Sequence, residues 1–151
     1  MKIISTKFRG LKIIKSKTFQ DSRGFFKEIY KKKNIKKNNL VFSCMSSSKK
    51  NVLRGLHLQT KFGQGKYLTV IKGKILDVVV DLRKNSKTFS KHFKIVLSDK
   101  INKSIFVPAG FAHGFLSLKK ESIIYYLCSN YRSPKNEVGL MWNDKDLKIK
   151  W

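Results

Sequence analysis

Three histidines occur in the 151 residues, and two of them sit where a side chain could meet a small molecule. His57 lies in Arg54-Gly55-Leu56-His57-Leu58-Gln59, where strand alternation sends Gly55, His57 and Gln59 one way and Arg54, Leu56 and Leu58 the other. A glycine beside the ring leaves space for an approaching molecule. His113 lies in Pro108-Ala109-Gly110-Phe111-Ala112-His113-Gly114-Phe115, whose small residues and aromatics suit a tight turn with close backbone approach. His92, flanked by lysines, reads as surface. A metal would want a third ligand and a close His-x-His pair, which the sequence lacks, so no metal is expected. There is no GxSxG elbow, and neither Cys44 nor Cys128 has a histidine near it in sequence. General acid–base chemistry remains, for which imidazole titrates in the right range and a tyrosine or lysine can act as partner. Tyr125 and Tyr126 alternate along a strand, so one of the two phenols faces inward.

The elements that must position these groups read as strands. Leu11–Lys15, Tyr67–Ile71, Ile75–Leu82, Phe93–Leu97, Ile105–Val107 and Ile123–Cys128 are short, β-branched and aromatic. Lys72-Gly73-Lys74, Lys84-Asn85-Ser86, Ser98-Asp99-Lys100 and Pro108-Ala109-Gly110 separate them as turns. Many short strands at this spacing predict an all-β sandwich or barrel. Within Ile75–Leu82, Leu76, Val78, Val80 and Leu82 form one dry face, whereas Ile75, Asp77, Val79 and Asp81 form the other. Two of the chain's few acids are thereby carried toward an interior, where a carboxylate needs a partner. For Asp81 that partner is expected to be a lysine or Arg83. Tyr30 to Asn39 reads as a short helix or a polar connection.

Composition bounds the rest. With 41% apolar residues the chain supplies a core, and no repeat or linker divides it, so residues 1–151 are expected to form one domain. No apolar run approaches the roughly 18–20 residues of a membrane span, and the N-terminus lacks the apolar stretch of a signal peptide. A soluble, cytoplasmic protein with no membrane partner follows as the expectation. Cys44 and Cys128 are expected to be buried, reduced thiols. The charge of +25 comes from 34 Lys and Arg against 9 Asp and Glu. Only Arg9, Arg23, Arg54, Arg83 and Arg132 are arginines, and the lysines are spread along the length, which argues for a solvated surface and against nucleic-acid readout.

Five segments together resemble the dTDP-4-dehydrorhamnose 3,5-epimerase family. They are Phe19-Gln20-Asp21-Ser22-Arg23-Gly24-Phe25-Phe26-Lys27-Glu28, Asn51 to Gln59, Asp77 to Arg83 with Ser86-Lys87-Thr88-Phe89, Pro108 to Phe115, and Trp142-Asn143-Asp144. The resemblance implies a cupin-like β-jelly roll, normally a homodimer and without a cofactor. It also implies inversion of C3 and C5 of a nucleotide-diphosphate-linked 4-keto-6-deoxyhexose by proton abstraction next to the ketone. By position, His57 resembles the base, Tyr126 the acid on the opposite side of the ring, and Lys66 the group that stabilises the enolate oxygen. Phe19, Arg23, Glu28, Arg54, Gln59 and His113 resemble residues around the sugar and its pyrophosphate, and Arg132 stands where a tyrosine is usual. In the family an aspartate beyond the Asn-Asp segment and the following tryptophan orients the base, and this chain ends at Trp151. Another partner for His57 is therefore expected, with Asp77 first and Asp144 and Asp146 after it. Phe42 and Cys44 replace a glutamine and an asparagine of the family, which leaves room for a base other than thymine or an altered sugar. The rival reading is a cupin that binds a nucleotide sugar or another small anion without turning it over.

Overall fold

The structure, a computed structural model, describes residues 1–35 and 39–151. Its strands are β1 (Lys2–Ser5), β2 (Lys12–Lys15), β3 (Thr18–Asp21), β4 (Gly24–Lys27), β5 (Phe42–Lys49), β6 (Leu53–Gln59) and β7 (Lys66–Lys72). They continue as β8 (Lys74–Asp81), β9 (His92–Ser98), β10 (Lys103–Val107), β11 (Phe111–Ser117), β12 (Glu121–Cys128) and β13 (Glu137–Gly139). A six-stranded sheet in the order β1-β2-β10-β7-β12-β5 faces a five-stranded sheet in the order β13-β6-β11-β8-β9, and among the described residues β3 and β4 pair only with each other. This is the all-β, cupin-like jelly roll expected. Of the stretch from Tyr30 to Asn39, Lys32–Ile35 forms a 3-10 turn, and residues 36–38 lie outside the described residues.

The inner faces of the two sheets share one core. Leu68, Val70, Ile105, Val107 and Ile124 of the six-stranded sheet meet Ile75, Val79, Leu97, Phe111 and Phe115 of the other. Each such side chain contributes on the order of 1.5–3 kcal/mol by leaving water. The opposite face of β8 is also dry. Val78 and Val80, with Leu56 and Ala112, are covered by Leu140, Leu147, Ile149 and Trp151, so the C-terminal segment lies over the outside of the five-stranded sheet. Among the described residues no helix is long and apolar enough to cross a membrane.

Two local expectations need correction. The segment from Pro108 to Phe115 is not all turn: the turn ends at Gly110 (φ +87°), and Phe111–Ser117 then runs as β11 through the middle of its sheet, paired with both β6 and β8. Cys44 is exposed, whereas Cys128 is buried as expected. Cys44 stands on β5, an edge strand, so only one side of its backbone is covered by a neighbouring strand.

Asp81, at the end of β8, finds the expected partner. Its carboxylate accepts hydrogen bonds from Arg83 Nη2 (2.7 Å), Ser86 Oγ (2.5 Å) and Thr88 Oγ1 (2.6 Å). Burial opposes ionisation, yet these donors outweigh it and hold the carboxyl well below the usual carboxylate range. Because the folded pKa is depressed, the ionised group stabilises the fold above its unfolded value of 3.8, and this is lost as pH falls toward the folded value. Asp81→Asn should therefore cost about 3 kcal/mol at neutral pH. Denaturant titrations should show the gap from the parent chain narrowing below about pH 4, and a gap unchanged by acid would contradict this account.

Candidate active site

A pocket of about 620 Å³ opens between the sheets at the end where β5, β7 and β12 meet β6 and β11. One wall belongs to the six-stranded sheet. Lys66 is paired with Cys128, Leu68 with Tyr126, and Cys44 with Tyr126, so alternation puts Lys66, Tyr126, Cys44 and Cys128 on one inner face. Tyr126 is therefore the inward phenol of the tyrosine pair. It shares a hydrogen bond with Ser46 Oγ (3.2 Å), and burial pushes its pKa far above that of a free phenol.

The facing wall carries the histidines. His57 on β6 and His113 on β11 are directly paired. Simple alternation would turn Arg54 away from His57, but both line the pocket. The cause is a bulge: Arg54 pairs with Phe115 and His57 with His113, so between these pairs Gly55 and Leu56 of β6 stand against Gly114 alone on β11. Gly55 permits it, with φ +92° and no room for a Cβ beside the His113 carbonyl. Arg54 reaches across to β5, donating to Ser48 Oγ (2.9 Å) and to the Ser47 carbonyl (3.1 Å).

Asp77 is not the partner of His57. Its side chain, fully buried, receives the His113 Nε2 proton at 2.7 Å, because Asp77 and His113 are diagonal neighbours across β8 and β11. Asp144 is occupied as well, capping the backbone N–H groups of Asp146 and Leu147. Among the described residues no carboxylate reaches His57, which stands exposed to the pocket with Gly139 leaving its ring edge open.

Other expected site residues divide. Arg132 lines the pocket and lies 3.7 Å from Glu137. Gln59 does not line it: its amide donates to the Phe62 and Tyr131 carbonyls and accepts from the Ser133 N–H, so it fixes the loops that carry Gln64 and Arg132. Phe19, Arg23 and Glu28 also lie outside the pocket. Arg23 is 89% exposed on the β3–β4 hairpin and pairs with Asp21, and Glu28 pairs with Lys31. Sequence reasoning missed Ser46, Gln64 and Glu137. For Ser46 a signal existed, since Phe42, Cys44, Ser46 and Ser48 alternate, but a serine-rich strand looks like a loop.

Comparison with known proteins gives the arrangement a context. Residues 5–151 match the family model described as dTDP-4-dehydrorhamnose 3,5-epimerase. The dTDP-4-dehydrorhamnose 3,5-epimerase of Methanothermobacter thermautotrophicus is 41% identical, covering 99% of this chain and 83% of the relative. The crystal structure of the dTDP-4-dehydrorhamnose 3,5-epimerase from Elizabethkingia anophelis superposes with a TM-score of 0.93 at 39% identity, over 100% of this chain and 86% of that one. That of the dTDP-6-deoxy-D-glucose-3,5-epimerase from Legionella pneumophila, in complex with dTDP-4-keto-L-rhamnose, superposes with a TM-score of 0.95 at 37% identity, over 99% and 82%.

Proposed function

The chain belongs to the dTDP-4-dehydrorhamnose 3,5-epimerase family, and from that premise we propose that its pocket epimerises a dTDP-linked 4-keto-6-deoxyhexose at C3 and C5. The observation that carries the reading is the division of the pocket, with His57 on one wall and Lys66 and Tyr126 on the other. A binding site has no need of a base and an acid on opposite faces of its ligand. Inversion at a carbon requires both.

A proton next to a ketone is removable because the charge left behind moves onto the ketone oxygen as an enolate. In this reading His57 takes the proton, the Lys66 ammonium stabilises the enolate oxygen, and Tyr126 returns a proton from the far side. Burial supports the Tyr126 role, since a phenol with a raised pKa stays protonated throughout the working range. His113, its Nε2–H held by the Asp77 carboxylate, is a positioned polar ring beside the base. Arg54 and Arg132 offer guanidinium forks to the pyrophosphate. We place the reaction in the cytoplasm, because two unbridged thiols suit a reducing compartment. The thymidine nucleotide follows the ligand of the Legionella relative. Turnover of dTDP-, GDP-, UDP- and CDP-linked 4-keto-6-deoxy sugars, followed by NMR, tests this directly. Conversion of the dTDP sugar is expected, and conversion of none of the four would refute the reading.

The working unit in this reading is a homodimer of one-domain chains. An isolated two-stranded hairpin is marginal in water, yet β3–β4 pairs with no other strand among the described residues and exposes Phe19, Phe25 and Phe26 at 56%, 74% and 66%. A second copy would cover these rings and receive Arg23 near its own pocket. Light scattering should give twice the chain mass, and replacing Phe25 and Phe26 by serine should yield monomers. A monomeric parent chain would contradict the dimer.

A further inference from the structure

Beyond the groups assigned to the reaction, the pocket wall holds two thiols. Cys44 is exposed, Cys128 is 2% exposed, and both line the same pocket. Cys44 pairs with Tyr126 and Cys128 with Phe42, so the cysteines are diagonal neighbours on one face of β5 and β12. Such neighbours lie roughly 7–8 Å apart between Cα atoms, with Cβ atoms closer, so a disulfide between them requires the two strands to draw slightly together. Burial, and then the nearby Cys44, pushes the Cys128 thiol up to about 12.

We propose that Cys44 and Cys128 form a modification site for peroxides, at which oxidation joins them as a disulfide on the pocket wall. The exposed Cys44 meets the oxidant first. Its thiolate attacks one peroxide oxygen, the O–O bond breaks, and a sulfenic acid and one water result. The Cys128 sulfur then attacks the Cys44 sulfur, the S–S bond forms, and the hydroxyl leaves as water with the Cys128 proton. Two thiols and one peroxide give one disulfide and two waters, with one electron lost by each sulfur. Lys66, paired with Cys128, partly offsets the burial that keeps the Cys128 thiol protonated until it attacks. Because β5 and β12 are already paired over eight residues, the shift needed for the new bond is confined to the end of that ladder. It changes the wall beside Lys66 and Tyr126 instead. Only this last effect rests on the pocket being the sugar site.

The test treats the reduced full chain with hydrogen peroxide, alkylates remaining thiols in denaturant, and maps peptides by mass. The intact mass should fall by about 2 Da, alkylatable cysteines should fall from two to none, and a Cys44–Cys128 cross-linked peptide should appear. Epimerisation should drop by about tenfold or more and return with dithiothreitol, whereas Cys44→Ser should keep its own reduced activity under peroxide. An oxyacid on Cys44 with Cys128 still alkylatable, or an unchanged mass, would overturn the proposal. A cross-link without loss of activity would uphold the site and contradict instead the placement of the sugar beside Lys66 and Tyr126.

Discussion

His57→Ala should lower proton exchange at the carbons flanking the substrate ketone by about 10²–10⁴-fold, the span by which a positioned general base accelerates a reaction. The loss should appear in kcat with little change in substrate affinity, because Arg54 and Arg132, the groups suited to the pyrophosphate, are untouched. His57 is exposed to the pocket on β6, with Gly139 against its ring edge, and touches no described carboxylate, so the substitution should leave stability within about 1 kcal/mol. A variant with normal exchange would remove His57 from the chemistry. A variant that loses exchange only by unfolding would be recognised by its melting profile.

Tyr126→Phe should separate the two halves of the reaction. Abstraction by His57 needs no phenol, so exchange should persist at one carbon, while completed inversion falls by about 10²–10⁴-fold for want of a donor on the far wall. The phenol also hydrogen-bonds Ser46, and that hydroxyl lies in the open pocket, so the fold should tolerate its loss. The pH dependence carries a sign. Burial pushes the Tyr126 pKa up, so the acid remains competent as pH rises, and a falling limb near the ordinary phenol value of 10.0 is not expected from it. Equal inversion by the variant and the parent chain would return the acid role to another group.

Much of this is legible in the sequence. The strands that a reader finds are those whose chemistry is one-sided, such as Ile75–Leu82, where alternation separates the shared core from the face beneath the C-terminal segment. The pairing of Asp81 with Arg83 was legible because the partner lies two residues away. The pairing of Asp77 was not. It depends on β8 lying beside β11 in a particular register, and 36 residues separate Asp77 from the histidine it serves. The bulge that turns Arg54 to the His57 side was likewise hidden, since period-two reading assumes a regular ladder. Charge followed the same rule. The lysines look diffuse along the chain, yet Lys49, Lys50, Lys72, Lys74, Lys119 and Lys120 ring a cleft at the end of the sandwich away from His57. Strand ends that are distant in sequence meet there.

The central claim is that His57 and Tyr126 work on opposite faces of one sugar. Incubating the protein with dTDP-4-keto-6-deoxyglucose in heavy water and locating deuterium by NMR tests it most directly. The account predicts deuterium at both C3 and C5 of inverted product from the parent chain, and deuterium at one carbon without completed inversion from Tyr126→Phe. Product free of deuterium, or no exchange at either carbon, would contradict it.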